Sequence, residues 1–206
     1  MKIEVINTGT GNVRSIVNWF HREGLTVKEV ESANQVSGDV LILPGVGSVG
    51  SFMKGLNSSG FSDRILSHVK SGGYLLGICL GFQVLGDFSD EDGGVSCLGL
   101  IPGRVKKLHQ NHNGWEQLYF RSDNICGHWL STSNLRRQYR SVVTNGRVFY
   151  NHEYGFIPRA GVIDTAPISK QHRDIAAYAR IKNVIGVQFH PEKSQKTGDL
   201  LLRSLF

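Results

Sequence analysis

A cysteine occupies the sequence setting of a catalytic nucleophile. Cys79 has a glycine two residues before it and another two residues after it, in Gly77-Ile78-Cys79-Leu80-Gly81. An apolar run of strand length, residues 74–78, precedes it, and a helix-like segment follows. This is the strand–turn–helix pattern of a nucleophile elbow, where small neighbours let the backbone double back. A helix N-terminus behind the turn would also favour the thiolate. Cys79 is therefore a candidate nucleophile, although a lone cysteine is more commonly inert and buried.

A candidate base and its orienting group lie more than 100 residues further along the chain. His190-Pro191-Glu192 directly follows an apolar run at residues 184–189. On an extended strand, residues i and i+2 face the same side, so His190 and Glu192 can project toward one site. An imidazole can take the thiol proton, and a carboxylate can fix its tautomer and stabilise the charged ring. Without Cys79, a strand-end histidine beside a solvated glutamate would be the simpler interpretation.

A third candidate is a glycine-rich loop that ends another buried strand, in Leu43-Pro44-Gly45-Val46-Gly47-Ser48. The two glycines let the amides around Val46 turn toward a ligand, as binding of a developing oxyanion requires. Phosphate binding is the functional rival, but the loop lacks a P-loop lysine. An ordinary strand-to-helix turn is the other alternative.

The elements that must position these residues alternate in type along the first half of the chain. We predict strands at residues 3–7, 26–30, 40–43 and 74–78, and helices from Val13 to about Gly24 and at residues 61–70. Apolar runs of this kind suit a parallel sheet that helices cover on both faces. The second half is richer in strand signals, at residues 104–108, 117–120, 147–150, 176–181 and 184–189, before a final helix at 198–206. Residues 126–144 show no clear period and receive no assignment.

Composition limits the class of protein. The 206 residues, 40% of them hydrophobic, suit one compact domain over 1–206. We see no signal peptide, and no run approaches the roughly 18 apolar residues of a membrane span. Three cysteines without metal-ligand spacing make disulfides and a metal site unexpected and favour the cytoplasm. The net charge of +6 fits a solvated basic surface, because no aromatic-interleaved basic stripe indicates nucleic acid.

With these pieces in place, the chain resembles the class I (triad-type) glutamine amidotransferases. Within them it is most similar to the glutaminase subunits of imidazole glycerol phosphate synthases. The matching text runs in order along nearly the whole chain: Gly11-Asn12-Val13-Arg14-Ser15, Leu43-Pro44-Gly45-Val46-Gly47, Gly77-Ile78-Cys79-Leu80-Gly81-Phe82-Gln83, Leu98-Gly99-Leu100-Ile101-Pro102-Gly103, Gly114-Trp115, His152 with Tyr154, and residues 186–194. The blocks around Cys79 and His190 are typical of the class. The blocks at residues 11–15 and 43–47, together with Gly114-Trp115, are typical of the subfamily.

The resemblance implies a doubly wound α/β domain, with extra antiparallel strands in the second half, that hydrolyses L-glutamine to glutamate and ammonia without a cofactor. It implies a triad of Cys79, His190 and Glu192. Further implied sets are an oxyanion region at Gly45, Val46, Gly47 and Leu80, and glutamine-binding positions at Gln83, Glu91, His152, Glu153 and Tyr154. The implied partner is a (β/α)8-barrel synthase subunit of histidine biosynthesis, which receives ammonia through a tunnel. Its docking face would include Asn12, Arg14, His112, Trp115 and Lys193.

The chain departs from the family pattern in two places. The family usually has Pro-His-Met-Gly-Trp-Asn where this chain has Asn111-His112-Asn113-Gly114-Trp115-Glu116. A serine or threonine normally follows the mid-chain histidine, but here Glu153 does, and its acid could repel the substrate carboxylate. One alternative is therefore a paralogue that supplies ammonia for amidation of another substrate, such as a surface-polysaccharide sugar. A stand-alone cysteine hydrolase and a catalytically dead interaction subunit are the others.

Overall fold

The computed structural model describes residues 1–118, 146–159, 162, 164–169 and 173–206. Its strands are β1 Ile3–Ile6, β2 Val27–Val30, β3 Val40–Gly45, β4 Tyr74–Cys79, β5 Phe88–Ser89, β6 Val95–Ser96, β7 Gly103–Gln117, β8 Arg147–Pro158, β9 Asp164–Pro167, β10 Ala176–Ile181 and β11 Val184–Val187. Its α-helices are α1 Val13–Arg22, α2 Val49–Ser58, α3 Phe61–Lys70, α4 Leu80–Gln83 and α5 Gln195–Leu205. Short 3-10 helices cover Ala33–Gln35, Glu91–Gly93 and Pro191–Lys193. None of these helices is long and apolar enough to cross a membrane.

The main sheet has the strand order β2-β1-β3-β4-β11-β10-β9 in the described part of the chain. The five strands from β2 to β11 are parallel, and β10 and β9 continue the sheet in antiparallel fashion. A second sheet has the order β6-β5-β7-β8. The α/β class with a mostly parallel sheet and added antiparallel strands, predicted from the sequence, is confirmed.

Alternate residues of the central strands enter two separate cores, one on each face of the main sheet. Val40 and Ile42 of β3 pack with apolar residues of α1 and α5, whereas Leu41 and Leu43 pack with those of α2 and α3. This is the consequence of period-2 side-chain direction in a strand that is buried on both faces. The helices therefore cover both faces, and the carboxyl ends of the parallel strands stay open at one edge.

Several predicted elements have different limits in the structure. The two strands predicted at 104–108 and 117–120 are wrong as separate elements: β7 is one long strand with a register irregularity between Lys107 and His112. Residues 119 and 120 lie outside the described part, as do residues 126–144. Strand β8 extends far beyond the predicted residues 147–150. The added length pairs with β7, and this tertiary contact leaves no local pattern in the sequence. Helix α2 and strands β5, β6 and β9 received no assigned range from the sequence.

Strand β3 runs through Pro44, where the sequence predicted its end. A proline lacks the N–H that a central strand donates, so it normally marks an edge or the end of a strand. Here the pairing of β3 with β1 ends at Ile42, while its pairing with β4 continues to Gly45. At Pro44, β3 therefore has no partner on the β1 side, and the missing N–H costs no strand hydrogen bond there. The continued pairing with β4 brings Gly45 beside Cys79.

A buried carboxylate stabilises the start of β1. Glu4 is fully buried, and one of its oxygens accepts hydrogen bonds from the backbone N–H groups of Ser37 and Gly38, both at 2.8 Å. Its other oxygen lies 3.0 Å from Lys2 Nζ. Burial alone would raise the pKa of Glu4, but these hydrogen bonds and Lys2 outweigh it and lower the pKa below the ordinary 4.5.

We expect Glu4→Gln to reduce the free energy of unfolding at pH 7 by about 2 kcal/mol, because it removes charge-assisted hydrogen bonds. A carboxyl with a lowered folded-state pKa contributes stability above its unfolded pKa and loses it as the pH falls. The difference between wild type and variant should therefore shrink as the pH falls below 4.5. Urea unfolding across this range measures it, and a pH-independent difference would contradict the assignment.

Candidate active site

A cleft of about 400 Å³ opens at the carboxyl ends of the parallel strands, where open α/β sheets bind ligands. It lies between the ends of β3, β4 and β11 on one side and β8 on the other. Its lining residues are Asn12, Val46, Gly47, Ser48, Cys79, Leu80, Gln83, Glu91, Asn151, His152, Glu153, Tyr154, His190 and Lys193. No group of His, Cys, Asp and Glu side chains suited to a metal ion occurs within the described ranges.

Cys79 is the last residue of β4 and has the strained backbone of an elbow, with φ 54° and ψ −110°. Such a conformation is unusual for a residue with a Cβ and persists only where the surroundings impose it. The surroundings are backbone: a Cβ on Gly81 would overlap the carbonyl oxygen of Leu43, and one on Gly77 would lie 2.7 Å from the carbonyl oxygen of Gly81. Glycine at both positions is thus a steric requirement of this turn.

His190 lies beside Cys79 and is held by Glu192. His190 Nδ1 donates to Glu192 Oε1 at 2.9 Å, and the ring lies close enough to Cys79 for the sulfur to favour its charged form. All three residues are buried, with exposures of 6% for Cys79, 5% for His190 and 9% for Glu192. The sequence predicted that strand alternation would align the histidine and the glutamate. In the structure β11 ends at Val187, and a 3-10 turn at Pro191–Lys193 brings the carboxylate onto the ring instead.

The environment favours the charged form of His190. Burial lowers its pKa, but the hydrogen bonds and charges of Cys79 and Glu192 outweigh burial and raise the pKa to about 10. An imidazole beside a sulfur nucleophile can take the thiol proton and return a proton to the leaving group. This arrangement can attack an acyl carbon and then donate a proton to the leaving group.

The backbone around His190 is tied to β8. The N–H of His190 donates to the carbonyl oxygen of Phe149 at 2.8 Å. Ser194 bridges the same two residues, because its hydroxyl donates to His190 O at 2.6 Å and accepts from Phe149 N–H at 3.1 Å. No sequence pattern pointed to this role of Ser194, except its position two residues after the His-Pro-Glu block.

The predicted oxyanion region lies against the elbow. Gly45 pairs with Cys79 in the register of β3 and β4. Val46 and Gly47 follow it as exposed residues on the rim of the cleft, with Gly47 at φ 100°, a conformation that favours glycine. Leu80 begins α4 immediately after Cys79, so its N–H belongs to the first turn of that short helix. These backbone groups surround the approach to the sulfur, where an oxyanion would develop.

The predicted glutamine-binding residues all line the cleft, but they differ in the hydrogen bonds that they already make within the protein. Glu91 accepts the N–H of Val49 at 3.1 Å with one oxygen. Burial raises the pKa of Glu91, and the charges of Asp92 and Glu153 add to this rise against the effect of the Val49 hydrogen bond. Glu153 is exposed, and its Oε1 accepts a hydrogen bond from Asn111 Nδ2 at 3.2 Å.

His152 is a neutral acceptor at the side of the cleft. Its Nδ1 lies 2.8 Å from the carbonyl oxygen of Tyr154, which can only accept, so Nδ1 carries the proton. Burial lowers the pKa of His152 to about 3. Its Nε2 is buried and has no hydrogen-bond partner within the protein.

The five predicted docking residues do not share one role in the structure. Asn12 and Lys193 line the cleft itself. Lys193 Nζ lies 5.7 Å from the centre of the Phe149 ring, whose edge contacts Trp115, which is 36% exposed. His112 stacks on Tyr150, and Arg14 is exposed on α1. Four of the five therefore lie on or next to the strands and turn that border the cleft.

The comparisons with known proteins agree with this geometry. A family model described as glutamine amidotransferase class-I matches residues 4–206. The chain is 35% identical over 211 residues to the imidazole glycerol phosphate synthase subunit HisH of Gloeobacter violaceus, with 98% of this chain and 87% of that protein covered. It is 32% identical over 209 residues to the chloroplastic imidazole glycerol phosphate synthase hisHF of Arabidopsis thaliana, with 98% of this chain and 33% of that protein covered.

The fold alone is supported by solved structures. A chain in the structure of PurLQS from Thermotoga maritima superimposes with a TM-score of 0.74 at 18% identity, covering 99% of this chain and 96% of that one. The chain belongs to the class I glutamine amidotransferase family. The family resemblance inferred from the sequence is therefore confirmed.

The elbow predicts opposite effects for two Gly→Ala substitutions. Gly81→Ala should lower the free energy of unfolding by about 3 kcal/mol, because its Cβ overlaps the β3 backbone. The matched control is Gly55→Ala on α2, where nothing lies within 4 Å of the added Cβ. There the helix should gain up to about 1 kcal/mol. Urea unfolding of both variants tests this, and equal stability of the two would contradict the steric argument.

Proposed function

We propose that this chain hydrolyses L-glutamine to glutamate and ammonia and passes the ammonia to a (β/α)8-barrel synthase subunit, as the glutaminase subunit of an imidazole glycerol phosphate synthase in histidine biosynthesis. The observation that carries the catalytic part is the presence of Cys79 and His190 in one cleft, with Glu192 hydrogen-bonded to the His190 ring. The relatives named HisH and hisHF support the choice of recipient. We treat residues 1–206 as a single amidotransferase domain, and the cysteine usage supports a cytoplasmic location.

In the proposed mechanism the Cys79 thiolate attacks the side-chain carbonyl carbon of glutamine and forms a tetrahedral intermediate. Backbone N–H groups of the Gly45–Gly47 loop and of Leu80 stabilise the oxyanion. His190 donates its proton to the nitrogen, ammonia leaves, and a thioester to Cys79 remains. The now neutral His190 takes a proton from water, whose oxygen attacks the thioester. Glutamate leaves, and the thiolate–imidazolium pair is restored, with Glu192 orienting the ring throughout.

The charges of the cleft suit the ends of an amino acid. An α-ammonium group needs a carboxylate, which Glu91 supplies on the side of α2, and an α-carboxylate needs N–H donors or a cation. Lys193 and the backbone of β8 at Glu153 and Tyr154 are the groups of this kind on the opposite wall. The hydrogen bond from Asn111 to the Glu153 carboxylate is the restraint that we propose keeps this acid from the substrate carboxylate.

Cys79→Ala should abolish glutamine hydrolysis, with a loss of about 10⁶-fold in kcat, because the nucleophile is removed. Glu192→Gln should retain more activity, with a loss of about 10⁴-fold, because an orienting carboxylate contributes less than the nucleophile. The measurement is glutamate release by the complex with the barrel subunit.

Free ammonia is the control for the channelling part of the proposal. With ammonium salt in place of glutamine, the complex that contains Cys79→Ala should form the synthase product at the wild-type rate. Failure of this rescue would contradict ammonia transfer to that partner. Full glutaminase activity without any partner would instead favour a stand-alone hydrolase.

The pair of Asn111 and Glu153 predicts a non-additive effect on substrate binding. Asn111→Ala should raise the KM for glutamine about fivefold, because the released carboxylate is free to approach the substrate carboxylate; a charge pair at about 4 Å in water is worth about 1 kcal/mol. In a Glu153→Thr background, Asn111→Ala should have no effect on KM. Steady-state kinetics of the two single variants and the double variant test this, and additive effects would exclude the proposed restraint.

A further inference from the structure

A buried amide that has no role in the mechanism above contacts the candidate nucleophile. Gln188 lies between the end of β11 and His190, and its side chain is fully buried. Its Nε2 lies 3.9 Å from Cys79 Sγ, within hydrogen-bonding range for sulfur. Gln188 and His190 are two residues apart just after the end of β11, and both lie beside Cys79.

The hydrogen bonds around Gln188 determine which end of its amide faces the sulfur. The carbonyl oxygen of Tyr154 can only accept, so the group of Gln83 that lies 2.7 Å from it must be the NH₂ group. The same nitrogen lies 3.2 Å from Gln188 Oε1 and gives it the second hydrogen. With its oxygen engaged by Gln83, Gln188 can present only its own NH₂ group to Cys79.

An N–H group aimed at sulfur favours the charged form of the cysteine. A donor stabilises a thiolate more than a thiol, and a buried charged group gains more from such a contact than an exposed one. His190 also lies close enough to Cys79 to interact with its charge. An amide donor at the sulfur further restricts the position from which the sulfur attacks.

We propose that Gln188 is a positioning residue that stabilises and orients the Cys79 thiolate, and that Gln83 sets the amide orientation on which this depends. This inference rests on the proposed function, in which Cys79 is the nucleophile. It gives Gln83 a different principal role from direct substrate contact, because both hydrogens of its amide are already donated within the protein. It also links the β8 wall of the cleft, through Tyr154, to the nucleophile.

The test is the pH profile of Cys79 alkylation by iodoacetamide in the full-length chain, followed by peptide mass spectrometry so that the three cysteines are read separately. Gln188→Met keeps the length of the side chain and removes the donor. Its alkylation midpoint should rise by about 1 pH unit, the size of a modest charge-assisted hydrogen bond. In the complex, kcat for glutamine should fall about tenfold with KM unchanged.

Two further variants keep the test decisive. Gln188→Asn retains a buried amide but withdraws it from the sulfur, so it should show the same shift even if the methionine variant does not fold. Gln83→Met leaves Gln188 free to rotate and should shift the midpoint in the same direction. The matched control is Asn183→Leu: its amide donates to the carbonyls of Val69 and Gly73 at the opposite end of β11. It should lower the free energy of unfolding without moving the midpoint.

Each outcome separates this inference from the proposed function. Unshifted midpoints in both Gln188 variants overturn the role of Gln188, whether or not the complex hydrolyses glutamine. A shift with Gln188→Met but none with Gln83→Met overturns the part assigned to Gln83. The alkylation midpoint could shift in both Gln188→Met and Gln83→Met while the wild-type complex hydrolyses no glutamine. That result would support the inference and overturn the glutaminase function.

Discussion

The close approach of two backbones, the turn after β4 and the end of β3, is the constraint on which the site depends. Gly81 lies so near the carbonyl oxygen of Leu43 that no larger residue fits, and this contact holds Cys79 in its strained conformation. Such strain persists only when the packing on both sides is rigid. Strands β3 and β4 provide that rigidity, because each is central in the sheet and buried on both faces.

A second constraint is electrostatic. A thiolate and an imidazolium are costly to bury unless each has partners, and the structure supplies several within a small volume. Glu192 hydrogen-bonds with Nδ1 of His190, the imidazole ring lies near the Cys79 sulfur, and the Gln188 amide approaches the same sulfur. The chain around His190 is held by Phe149 and Ser194 of neighbouring elements. The site is therefore preorganised by hydrogen bonds that join β4, β8 and β11.

The cleft also explains how a departure from the family pattern can coexist with an intact site. Glu153 brings a second carboxylate near Glu91, which would disfavour an anionic substrate group. Asn111, on the adjacent strand β7, engages that carboxylate. Both residues differ from the usual family pattern, and the contact between them is the basis for the proposed compensation between the two changes.

The sequence by itself determined the local features: the glycines around Cys79, the His-Pro-Glu block, helix α3 with its limits, and the buried parallel strands. Each depends on residue types within a few positions, so a single chain segment carries the signal. The tertiary structure alone decided the length of β7 and β8, the turn that brings Glu192 onto His190, and the contact of Gln188 with Cys79. The last joins residues 109 positions apart. No local pattern records such a pairing, because it arises from which strands become neighbours in the folded sheet.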